Sequence, residues 1–126
     1  MQAYPRFTIN RHLVILMPTQ VALDWVNRVD PIPMNMTLAE MREEQNAYLA
    51  PELLDGQEAA ERWVQQRWKM FFETFLLEWF EDEALWPQKR TLKMFREWFE
   101  VQYHSMVWDM GAEKPIQYED WESLEP

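Results

Sequence analysis

The stretch Leu92-Lys93-Met94-Phe95-Arg96-Glu97-Trp98-Phe99-Glu100-Val101-Gln102-Tyr103-His104 changes its hydrophobic period part-way along. Leu92, Phe95, Trp98 and Phe99 recur at helical spacing, with Arg90, Lys93, Arg96 and Glu97 on the complementary face, which predicts an amphipathic helix starting near Thr91. From Val101 to Asp109 the period becomes two. Val101, Tyr103, Ser105 and Val107 then fall on one side of a strand, and Gln102, His104, Met106 and Trp108 on the other. A chain that carries both periods calls for helices packed on a sheet. The expected fold class is therefore α+β: a small sheet of about three strands against a long amphipathic helix and shorter helices, with a mostly α fold as the alternative.

Upstream lies the longest periodic segment. Val64, Trp68, Phe71 or Phe72, Phe75, Trp79 and Phe80 form one stripe, which predicts a helix over Glu58 to Phe80 with Trp68, Phe72, Phe75 and Trp79 inward and Asp55 as its cap. A second row, Trp63, Met70 and Leu77, recurs every seven residues and widens the apolar arc beyond what one neighbour needs. This suggests a second cover and a possible homodimer. Leu85-Trp86-Pro87 marks a corner, because a proline disfavours the α conformation of the residue before it.

Toward the N-terminus, Leu13-Val14-Ile15-Leu16-Met17, stopped by Pro18, reads as a strand buried on both faces. Phe7 and Ile9 allow either an earlier start or a bend at Asn10-Arg11. Thr19 can cap a helix carrying Val21, Leu23, Trp25, Val26 and Val29, ended by Pro31 and Pro33. Thr37 with Glu40 forms a capping-box pattern for a helix from Leu38 to about Gln45, and Asn46 to Ala50 reads as a brief strand. With helices between the two strands, a right-handed parallel crossover is the default connection.

Eight Trp, seven Phe and four Tyr in 126 residues can build a dense core, yet they name no reaction. Residues 1–112 read as one compact domain, and residues 113–126 as an acidic aromatic tail with no core of its own. A formal charge of −10 repels phosphate backbones, so no nucleic-acid partner is expected. The run at Leu13 is too short for a membrane span and has no cleavage site after it. No membrane partner is expected, and the absence of cysteine suits a reducing cytoplasm. Phosphate-cradling loops need clustered glycines, whereas Gly56 and Gly111 stand far apart. His12 and His104 form no helical ligand pair, and Ser105 and His104 would point to opposite faces of a strand. The sequence thus implies no metal, no cofactor and no catalytic motif; the carboxylate runs read as solvated surface.

Three surfaces carry binding chemistry. Trp86, with Lys89, Arg90, Lys93 and Arg96, concentrates positive charge that suits an acidic or phosphorylated ligand, though the same cations can balance Glu78, Glu81, Asp82 and Glu83. His104, Met106 and Trp108 set an imidazole among apolar groups, while a core histidine with one hydrogen-bond partner is the plainer reading. Tyr118, Trp121 and Leu124 recur every three residues between acids, as in anchors that dock into a groove. The leading expectation is a non-enzymatic protein-interaction or regulatory module. The rival is a small-molecule-binding protein or enzyme with a pocket between sheet and helices around His104, using Tyr103 or Asp109.

Overall fold

The computed structural model describes residues 6–32, 35–53, 55–111 and 113–120. In chain order its elements are β1 (Phe7–Thr8), β2 (His12–Pro18), α1 (Gln20–Val29), α2 (Leu38–Glu43), β3 (Ala47–Ala50), α3 (Gly56–Gln65), α4 (Trp68–Trp79), a 3-10 turn (Glu83–Leu85), α5 (Leu92–Trp98), β4 (Phe99–His104) and β5 (Trp108–Asp109). The fold is α+β. A three-stranded antiparallel sheet in the order β3-β2-β4 packs against the helices, and β1 and β5 form a separate two-stranded ribbon.

The parallel crossover expected between β2 and β3 does not occur. Two helices separate the strands, and the second returns the chain to the end of β2 that it left: Arg42, near the end of α2, donates its Nε–H to the Pro18 carbonyl at 3.0 Å. From there β3 must run backwards along β2, with Ala47 opposite Ile15 and Ala50 opposite His12. The sheet is covered on one face only. Val14, Leu16 and Pro18 point into the helices and are buried, whereas Leu13, Ile15 and Met17 alternate to the open face and are half-buried. Burial of β2 on both faces, expected from its unbroken apolar run, is therefore wrong; the open face is the ordinary condition of an antiparallel sheet.

The single helix expected over Glu58–Phe80 is two helices. Arg67 leaves the helical region at φ −118° and ψ 22°. Its N–H bonds to the Val64 carbonyl at 2.9 Å, and its guanidinium turns back to the Trp63 carbonyl at 3.0 Å and lies 4.4 Å over the Trp63 ring. The break rephases the apolar stripe. Ala60 and Val64 of α3 and Phe71, Phe72 and Leu76 of α4 are buried, while Trp68, Phe75 and Trp79 sit half-buried beside them. Asp55 makes no side-chain cap; α3 opens instead on Gly56 at φ +69°, a conformation that glycine adopts without a Cβ penalty.

Capping chemistry elsewhere follows the sequence at Thr37 and Thr91 but not at Thr19. The Thr37 hydroxyl oxygen accepts from the Glu40 N–H at 3.2 Å, the first bond of a capping box, while Glu40 Oε1 accepts from the Thr37 hydroxyl at 3.0 Å in place of the backbone N–H. Thr91 accepts from the Met94 N–H at 3.1 Å and starts α5. Thr19 precedes α1 without a side-chain cap. Its hydroxyl donates to the Glu97 carbonyl at 2.6 Å and its N–H to the Trp98 carbonyl at 2.8 Å, which ties the start of α1 to the end of α5.

Phe99 is already extended, at φ −134° and ψ 141°, so β4 begins two residues before the change of period at Val101. The chain leaves the sheet after His104, and β5 pairs with β1; one strand over Val101–Asp109 is corrected to two strands in different sheets. A bend at Asn10 separates β1 from β2. The core is mostly rings. Phe72, fully buried, lies 5.0 Å from Trp98 and 5.9 Å from both Phe95 and Phe99, and Phe75 meets Phe99 edge-on at 4.8 Å.

Candidate functional site

The surfaces expected from sequence are placed apart from one another. Trp86 is a core residue, 8% exposed, whose indole N–H donates to the Phe80 carbonyl at 2.8 Å. Arg90 stacks 5.7 Å over that ring, donates to the Pro87 carbonyl at 2.9 Å and pairs with Glu73 at 3.6 Å. Its charge stabilises the corner, through Glu73 rather than the acids at 78 and 81–83. Lys93 is exposed on α5, and Arg96 bonds Gln65 Oε1 at 2.9 Å.

His104 lies at the end of β4, exposed on the open face of the sheet opposite Leu13; Trp108, half exposed, belongs to the ribbon. Tyr103 points inward instead, and there it serves the other histidine. His12 Nδ1 accepts from the Leu53 N–H at 2.9 Å and lies 2.7 Å from the Tyr103 hydroxyl, which donates to the Leu53 carbonyl at 3.0 Å. Because a backbone N–H must donate, Nδ1 is the unprotonated ring nitrogen, and His12 acts as a clasp between β2 and the loop before α3. Tyr118 is 85% exposed in the tail, and Trp121 and Leu124 lie outside the described residues.

A pocket between sheet and helices is present, but on the β3 side. Where α2 ends, Glu44, Gln45 and Asn46 lead into β3 and face the last turn of α4. Between them is a small enclosed space of about 30 Å³, walled by Tyr48, Phe71, Phe75 and Trp79. Glu44, Asn46, Glu78 and Trp79 also line a wider outer cleft of about 570 Å³, with Met36 at its rim. Met36 is held by a reciprocal pair of bonds to the Asn27 side chain, at 3.1 and 3.2 Å. His104 is not among the lining residues.

The polar groups here are linked. Asn46 Nδ2 donates to Glu78 Oε1, and the Asn46 side chain also hydrogen-bonds Tyr48. Burial pushes the Glu78 carboxyl above its ordinary range, against the opposing bond from Asn46. Burial likewise pushes the Tyr48 phenol up, opposed by Asn46 and reinforced by the charge of Glu78. Gln45 Oε1 is buried and has no hydrogen-bond partner among the described residues. Buried acceptors are nearly always partnered, so this one is unusual, although it is closed off from the neighbouring space.

Sequence reasoning missed this cleft because its residues come from the α2–β3 connection and from α4, some thirty positions apart. The available signal was Glu78, an acid in the last turn of a helix whose last turn carries no basic residue. The helix dipole disfavours an anion there.

The sequence matches no protein-family model, and comparison with curated proteins and with solved structures finds no similar chain. No helix among the described residues is long and apolar enough to cross a membrane.

Proposed function

We propose that the protein is a non-enzymatic recognition module and that the cleft between the α2–β3 connection and the end of α4 is its binding site. An aromatic-walled space beside a wider cleft, with Glu44, Asn46, Glu78 and Trp79 lining both, carries this reading. The lining offers acceptors and aromatic walls with no serine, threonine, lysine or histidine, and its raised carboxyl, Glu78, is engaged by Asn46, which favours binding over turnover. The cytoplasmic setting belongs to the same proposal, on the cysteine-free sequence.

A fragment titration monitored by backbone and side-chain amide resonances tests it. Hits should move Gln45, Asn46, Tyr48 and the Trp79 indole together. Hits that collect at His104 and Trp108, or at the Trp86 corner, would move the site elsewhere. Self-association, expected from the second apolar row, now rests on Met70 and Leu77 of α4, which are 51% and 55% exposed. Light scattering over about a hundredfold range of concentration, equivalent to roughly 2.7 kcal/mol of association free energy, tests it. A monomer throughout removes it.

A further inference from the structure

We infer that the cleft receives the ammonium head of a lysine side chain presented by a partner protein. The inference rests on the cleft being the binding site and adds the chemistry of what it binds.

Charge comes first. Glu44 and Glu78 line the cleft and no arginine or lysine does; Arg42, the nearest basic residue in sequence, is turned to the Pro18 carbonyl. Glu78 also stands in the final turn of α4, where the helix end is itself partly negative, so two unfavourable terms meet at one place and a cation would relieve both. The net charge of −10 draws cations toward the whole molecule.

Hydrogen bonding and shape narrow the class. An ammonium has three donors and no acceptor, which matches a lining that offers the side-chain oxygens of Glu78 and Glu44. The walls of Trp79, Phe75 and Tyr48 present ring surface, which attracts a cation and packs an aliphatic stem. An enclosed space of about 30 Å³ suits one compact head, whereas a guanidinium is a broad planar fork. The wider cleft outside leaves room for the rest of a side chain and the backbone that carries it.

The test titrates the full chain with N-acetyl-lysine methylamide, its norleucine and arginine counterparts, and n-butylamine, following the Gln45 and Asn46 side-chain amides and the Trp79 indole. The lysine amide should move all three and bind about ten-fold tighter than norleucine, as expected of charge-assisted bonds at a partly solvated site. It should also exceed arginine and butylamine. Glu78→Gln should lower its affinity about ten-fold with an unchanged circular dichroism spectrum, and Glu44→Gln should lower it less. Equal binding of norleucine overturns the cation and leaves the cleft as a site. A preference for arginine overturns lysine, and butylamine binding as tightly as the lysine amide points to a free amine rather than a side chain. If these probes leave the cleft unmoved while other fragments move it, only this inference fails; if nothing moves it, the proposed function fails as well.

Discussion

Toward α5 and β4, helix α4 presents Phe72 and Phe75, and three rings, Phe95, Trp98 and Phe99, close around them at separations of 4.8 to 6.2 Å. Toward β3, its last turn presents Glu78 and Trp79, and a void persists. The two regions share a helix and even the Phe75 ring, and differ in that the second sets Glu44, Gln45, Asn46 and Glu78 among its rings. Rings can be pressed together until no space is left, because nothing is lost by excluding water from them. A carboxylate and two carboxamides cannot, since each contact must also be a hydrogen bond. Space at the end of α4 thus persists where polar groups interrupt the rings, and it is there that a ligand can enter.

The largest effect that would break this contrast lies on the closed side. Phe72→Ala should cost about 3–5 kcal/mol in urea unfolding, from lost transfer energy and the cavity left among Phe95, Trp98 and Phe99. A loss below about 1 kcal/mol would mean that the rings readjust and that the core is not closed. Trp68→Ala sharpens the same point. Trp68 is only half-buried at the start of α4, so its truncation should cost roughly 2 kcal/mol, about half the buried value.

At the far end of β2 from both regions stands the His12 clasp. Tyr103→Phe keeps the ring and removes the hydroxyl that donates to the Leu53 carbonyl, so about 1 kcal/mol of stability should go with it. No change would show that water takes over the hydroxyl's role.

Local chemistry was readable in the sequence where it depends on neighbours in the chain. Thr37 and Thr91 announced their helices, Pro18 ended its strand, and the change of period after Trp98 separated α5 from β4 to within two residues. What depends on distant contacts was not readable. No glycine or proline between Gln57 and Trp86 marks the break at Arg67; it exists because Phe71, Phe72 and Leu76 must meet β3, α5 and β4. The antiparallel return of β3 depends on where α2 ends, and the cleft depends on that return. Of the expected site residues, Trp86 proved to be core, because its Phe80 partner lies across a turn whose closure the sequence does not specify.

On the open side the effects are smaller. Gln45→Leu removes a buried acceptor that has no partner among the described residues and keeps most of the volume, so stability should stay within about 1 kcal/mol of wild type or rise. A clear destabilisation would show that Gln45 Oε1 is already bonded in solution.

The smallest and most specific effect concerns Glu78 and pH. Its folded carboxyl titrates above the ordinary range because burial penalises the charged form, so the folded chain holds that proton more tightly than the unfolded chain. The resulting penalty is absent below the ordinary carboxyl range near pH 4, grows as pH rises from there through the raised value, and is complete above it. Glu78→Gln removes the penalty and retains an oxygen that can accept from Asn46. Its urea midpoint should therefore exceed that of wild type at neutral pH, and the difference should vanish in acid. Of the titratable groups that face Glu78, Tyr48 is a neutral phenol across this range, so the sign is set at Glu78. Saturating lysine amide at neutral pH should reverse the ranking, because only the wild-type carboxylate gains a counter-ion. A variant less stable than wild type at neutral pH without the probe would show that the bond from Asn46 outweighs burial, and that the end of α4 needs no added cation.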